Sequence, residues 1–153
     1  EINIEIVFDD AAIGSQTLAY RHKDGSFAAE LASARTFCQL RDVELMKNAG
    51  LALGGSLDNA VVVDDGTILN EGGLRMEREF VRHKALDCLG DLLLLGLPAK
   101  ARLTAHRPGH ALCTKLVQTL LNDPSAFKIV EAGTTKSRSD SFVLPEFAAA
   151  ATA

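Results

Sequence analysis

A histidine and two aspartates recur four residues apart in "FVRHKALDCLGDLLLLG" (80–96): His83, Asp87 and Asp91. A helix turns ~100° per residue, so each four-residue step drifts by only ~40° and the three side chains share one narrow stripe. Val81, Ala85, Leu86, Leu89, Leu92 and Leu93 fall on the other side, as in a helix with one apolar face. Side chains four apart are neighbours, and a neutral imidazole beside a carboxylate is a ligand set suited to catalytic zinc. Two ligands are not enough, because a catalytic zinc takes three protein groups and keeps a position open. The same spacing also describes a solvated helix face. A charge beside a leucine face must meet water, a metal or an opposite charge, and in the bare chain the stripe is expected to be wet.

Downstream, "HRPGHALC" sets His110 where a strand gives way to a helix. A charged imidazole is disfavoured at a helix N-terminus unless a carboxylate offsets it, and Asp91 is a candidate. A surface turn residue is the plainer reading of His110. His22 and His106 read as ordinary polar positions, either of which can in principle lend a ligand.

These groups need elements to position them. Ile2, Ile4, Ile6 and Phe8 alternate with polar residues as a half-buried strand does, "DDAAIGS" turns the chain, and "QTLAYR" returns as a hairpin partner. "SFAAELASARTF" predicts a helix starting behind Ser26, and "DVELMKNAG" a second one ended by Gly50. "LALGGSLDNAVVVDDGTILNEGG" reads as a β-rich insert whose Asp-Gly turn separates two β-branched runs. The longest helix is expected over 78–95, stopped by Gly96 and Pro98. "AKARLTAH" then reads as a strand, "GHALCTKLVQTLLND" as a helix and "AFKIV" as a last strand. Strands and helices mix without regular alternation, which favours the α+β class. Residues 1–131 form one domain in this reading. Residues 132–153, polar and then Ala-rich, are expected to be a flexible tail.

Composition removes other classes. A net charge of -4 with scattered Lys and Arg, low aromatic content and no tryptophan leaves no basic stripe or stacking platform for nucleic acid. Cys38, Cys88 and Cys113 are odd in number and form no CxxC pair, which points to a reducing cytosol. No apolar run reaches the ~20 residues a membrane span needs. The chain starts with "EINIEIVF", in a strand and without Met, and reads as a piece of something longer.

Four segments in order, "ARTF" (34–37), "LALGGSLDNAVVVDD" (51–65), "RHKALDCLGD" (82–91) and "GHAL" (109–112), closely resemble the second domain of the zinc-dependent UDP-3-O-acyl-N-acetylglucosamine deacetylases of lipid A synthesis. The resemblance implies a two-layer sandwich of a β-sheet on two main helices with a β-rich insert. It also implies a cytoplasmic enzyme of a Gram-negative bacterium. Through the HKxxxD segment it makes His83 and Asp87 zinc ligands and sets Lys84 near the sugar-nucleotide. It implies that His110 is the general acid or the electrostatic stabiliser of the departing amine, that Asp91 orients it, and that Thr36 hydrogen-bonds the developing oxyanion. Phe37 is implied near the substrate, Asp42 on the nucleotide side, and Gly55, Ser56, Ala60 and Val62 along an acyl passage, where small residues leave room for a methylene chain. Cys38 stands where the family more often has Gly. The family's Glu-His pair, a general base and a third zinc ligand from its N-terminal domain, has no match here, so the chain is expected to hold half an active site. A non-catalytic α+β partner-binding module, or a different amidohydrolase completed by His22 or His106, remain the rival readings.

Overall fold

The structure is a computed structural model that describes residues 1–131; the expected tail lies outside the described residues. Strand β1 (Ile2–Val7) buries Ile2, Ile4 and Ile6, each at most 4% exposed, as its alternation requires. It pairs antiparallel with β2 (Ser15–Tyr20) and parallel with β6 (Leu103–His106), giving the order β2-β1-β6. The expected hairpin and the expected strand before His106 are both present.

A second three-stranded sheet, β3-β4-β5, was not anticipated. Its edge is β3 (Thr36–Gln39), parallel to β4 (Ala60–Asp64), which pairs antiparallel with β5 (Thr67–Ile68). The helix expected over 26–37 is thereby corrected: α1 (Ser26–Glu30) has only five residues and ends at Leu31. Tertiary pairing overrides local propensity, because Thr36 to Gln39 find ladder partners in Ala60 to Val63. Nor does Ser26 cap this helix. The N-cap is Gly25 in a left-handed conformation, and the Ser26 hydroxyl bonds Lys23 and Tyr20 instead.

The insert turns as read. Asp65 and Gly66, with φ of 44° and 78°, link β4 to β5 as a two-residue hairpin loop in which both central residues are left-handed. Helix α2 (Leu40–Asn48) lies against β3 and β4 and ends before Gly50, whose φ is 71°.

Helix α3 (Glu79–Leu92) runs across both sheets and packs against α4 (His110–Asn122). Its buried side includes the expected Val81 and Ala85, with Leu86 and Leu89 packed against the core, and reaches further round the helix than expected. Glu79, Phe80, Val81, Ala85 and Cys88 are buried, whereas Leu93 is 72% exposed in a 3-10 turn that ends at Gly96. The core joins the isoleucines of β1 with Leu18, Tyr20, Leu31, Val61, Val63, Phe80 and Val81. "AFKIV" forms no strand: Pro124–Ala126 is a 3-10 turn, and Phe127, Ile129 and Val130 are exposed. The class remains α+β, with two small sheets instead of one. Among the described residues no helix is long and apolar enough to cross a membrane.

Candidate functional site

Helix α3 carries the stripe, and the stripe is not wet. The side chains of His83 and Asp87 are only 13% and 10% exposed, with His83 Nε2 3.2 Å from Asp87 Oδ1. The sheets close over this turn of the helix: Phe37 of β3 stacks edge-on against His83 at 6.3 Å and against Phe80 at 5.0 Å. His83 Nδ1 lies 3.1 Å from the Ala34 carbonyl. A carbonyl oxygen only accepts, so Nδ1 carries a proton, and in a neutral ring the Nε2 lone pair then faces the carboxylate.

Two lone pairs at this separation need a cation between them, either a proton or a metal ion. Ligand atoms each about 2.05 Å from one tetrahedral zinc stand about 3.3 Å apart, so the pair has the spacing of two metal ligands. The Ala34 carbonyl is the outer partner that such a ligating histidine ordinarily has. Among the described residues no group of three or more His, Cys, Asp and Glu is arranged to hold a metal.

Lys84 Nζ bonds Asp87 Oδ2 at 3.1 Å and lies 5.5 Å from the Phe37 ring centre. Without a metal it balances the carboxylate. A second pair lies one turn on: His110, the first residue of α4 and 68% exposed, has Nδ1 3.0 Å from Asp91 Oδ2. This is the carboxylate offset expected for an imidazole at a helix N-terminus. It leaves Nε2 of His110 towards solvent, within reach of a bound molecule.

Thr36 is exposed at the start of β3, opposite Ala60 in register, and Asp42 is exposed in the first turn of α2. Burial, then the Asp42 charge, pushes the Cys38 thiol up from its ordinary value. Ala60 and Val62 are buried on the face of β4 opposite the core valines Val61 and Val63. Gly55 and Ser56 are exposed in the preceding turn, where a Cβ at Gly55 would meet the Ala52 carbonyl at 3.1 Å. Leu51 and Leu53, just before them in the chain, are 60% and 77% exposed, leaving open apolar surface. His22 bonds the Tyr20 hydroxyl and His106 pairs with Glu5 at 2.9 Å, so each has a partner away from the stripe.

Sequence reasoning missed several groups. Glu79, fully buried, extends the four-residue series of His83, Asp87 and Asp91 back by one step and pairs with Arg35 at 2.9 Å; the spacing itself was the available signal. Burial opposes its ionisation most, but hydrogen bonds from the Arg35 side chain and from the Arg35 and Arg75 amides, with the Arg35 charge, hold its carboxyl below the ordinary value. Asn70 is buried, accepting from the Val62 amide and donating to the Leu57 and Ala60 carbonyls. Cys88 and Cys113, 25 residues apart, meet at 3.6 Å where α3 packs on α4. A cleft of about 350 Å³ beside β1 and β3 is lined by Arg41 and Arg107, among others.

Fold and site together define an α+β domain with two imidazole–carboxylate pairs on adjoining helices, one nearly closed and one open. Residues 1–122 match the family model described as UDP-3-O-acyl N-acetylglycosamine deacetylase. The chain is 51% identical over 132 residues to the UDP-3-O-acyl-N-acetylglucosamine deacetylase of Psychrobacter arcticus, covering 85% of this chain and 41% of that protein. Proteins of the same name from Myxococcus xanthus (50% identity; 86% of this chain and 42% of the relative) and Brucella ovis (48%; 84% and 46%) match similarly. The chain belongs to this deacetylase family, and it spans less than half the length of these curated relatives.

Proposed function

We propose that this chain is the C-terminal half of a cytoplasmic, zinc-dependent deacetylase acting in lipid A synthesis of a Gram-negative bacterium. Its reaction is hydrolysis of the N-acetyl group of UDP-3-O-(3-hydroxyacyl)-N-acetylglucosamine. The observation that carries the reading is the approach of His83 Nε2 and Asp87 Oδ1 to 3.2 Å, in the tautomer that leaves a lone pair for a cation. Family membership and the relatives' name support the substrate.

In this reading His83 and Asp87 hold the zinc, and Lys84 gives up its hold on Asp87 to meet the sugar-nucleotide. When bound, the metal supplies Lewis-acid activation of the amide carbonyl and of the attacking water. His110, steadied by Asp91, delivers a proton from Nε2 to the departing amine. The Thr36 hydroxyl hydrogen-bonds the oxyanion. The exposed leucines before Gly55, Ser56, Ala60 and Val62 receive the acyl chain, with Phe37 beside the reacting group. Asp42 and the two guanidinium groups of the cleft face the nucleotide, guanidinium being suited to diphosphate. The N-terminal domain of the same enzyme supplies the Glu-His pair and covers the stripe.

The chain alone therefore binds zinc weakly and turns over poorly. Titration with zinc, repeated with His83→Ala, and deacetylation assays with and without the N-terminal portion of a relative test this. Tight one-to-one zinc binding by the chain alone refutes the half-site, and zinc binding indifferent to His83 refutes the ligand assignment. The Lys84–Asp87 pair, which neutralises the stripe without a metal, favours one second reading, a non-catalytic partner-binding module. Absence of zinc from the complete purified protein would select it.

A further inference from the structure

We infer that Glu79 is a positioning residue for the His83 imidazole, acting through the peptide unit between Ala34 and Arg35. Its bearing on metal binding rests on the reading of His83 as a ligand. Glu79 is fully buried, and its Oε1 accepts from both the Arg35 amide and Arg35 Nε at 2.9 Å. Its Oε2 accepts from the Arg75 amide at 2.6 Å and from an Arg35 Nη at 3.1 Å. The same Arg35 Nη donates to the Gly73 carbonyl at 2.8 Å.

The Arg35 amide belongs to the peptide unit whose carbonyl, that of Ala34, receives the His83 Nδ1 proton at 3.1 Å. The peptide is planar and trans, so its N–H and C=O point in opposite directions and fixing one end fixes the other. Glu79 and His83 stand one helical turn apart on the same side of α3. A closed loop results: the helix turn, the Glu79 carboxylate, the peptide unit and the imidazole. It sets the ring's tautomer and aims Nε2 at Asp87. Thr36 follows directly on the clamped peptide, so the oxyanion donor is held by the same device. A pair that served only to anchor the 73–75 segment would have no effect on the imidazole proton.

Long-range proton–nitrogen NMR of the His83 ring in the full chain at saturating zinc, where the metal and not a proton stands between Nε2 and Asp87, reads which ring nitrogen keeps its proton. Wild type is expected to show a single Nδ1–H form. The double variant R35M/E79L, in which apolar groups replace a buried ion pair, is expected to show mixed tautomers. Its zinc affinity, measured by direct titration with zinc, is expected to fall by roughly 10- to 100-fold, the usual effect of losing an outer partner of a ligating histidine. Glu79→Gln, the gentler change, is expected to move both readouts the same way by less. Arg35→Lys keeps the hydrogen bond from the backbone N–H of residue 35 to the Glu79 carboxylate and is expected to retain the single form. An unchanged Nδ1–H form in either Glu79 variant, shown folded by circular dichroism, overturns the proposal. So does a tautomer shift in Arg35→Lys as large as in the double variant. Should the tautomer follow Glu79 while zinc binding ignores His83, the positioning role stands and the metal reading fails.

Discussion

Replacing Arg35 with Met isolates the energetics of the clamp. Glu79 accepts four hydrogen bonds, two of them from the Arg35 guanidinium, and is fully buried. Arg35→Met removes those two bonds and the compensating charge but leaves the carboxylate in place. Hydrogen bonds to charged groups contribute about 1.5–3 kcal/mol each, and breaking a buried pair from one side costs about 3–5 kcal/mol, so a loss near 4 kcal/mol is expected. The further change Glu79→Leu should recover the part due to the uncompensated charge, but not the part due to the Arg35 and Arg75 amides, which lose their acceptor. Urea unfolding followed by circular dichroism measures both, with comparable slopes required before midpoints are compared. The loss should also depend on pH. The Glu79 carboxyl lies below its ordinary value of 4.5 in the folded chain, so its contribution is fully present above that value and fades as pH falls through the lowered one. In Arg35→Met the uncompensated carboxylate takes up a proton more readily, so the gap from wild type should be widest near neutrality and close below about pH 4.5. A loss under about 1 kcal/mol at neutral pH, or one that does not narrow in acid, would show that the pair holds nothing together.

Asp91→Asn and His110→Ala in the complete enzyme should each lower kcat, by up to about 10²–10⁴-fold for the histidine if it moves the proton, with KM nearly unchanged; steady-state kinetics on the UDP-sugar read this. Asn70→Ala leaves the Val62 amide and the Leu57 and Ala60 carbonyls without their partner. It should cost about 3 kcal/mol in the same unfolding assay. Burial foremost, then the neighbouring thiol, pushes the Cys88 thiol far above its ordinary value, and burial also raises Cys113. Iodoacetamide should therefore spare both in the native chain and modify both in urea, as mass spectrometry of the digests will show.

Local chemistry was legible where the chain folds on itself over short range. The alternating isoleucines of β1, the Asp65-Gly66 hairpin, Gly50 and Gly96 as helix stops, and the four-residue stripe of α3 follow from periodicity and from φ values that few residues adopt. Residues 26–37 misled because Ala and Leu favour a helix in any context, while the strand at Thr36 exists only through partners in β4 some 24 residues away. "AFKIV" misled in the opposite sense, being β-branched and apolar yet without a partner among the described residues.

By itself the amino-acid sequence determined which groups share a helix face: the spacing of His83, Asp87 and Asp91 makes them neighbours whatever surrounds them. It could not decide whether that face is wet, or which imidazole nitrogen is protonated. Those depend on β3 crossing α3, so that the Ala34 carbonyl meets His83 and Arg35 meets Glu79 across more than 40 residues of chain. Tertiary packing decided them, because burial and hydrogen-bond direction are properties of what lies opposite a side chain, and neither is encoded in its neighbours along the chain.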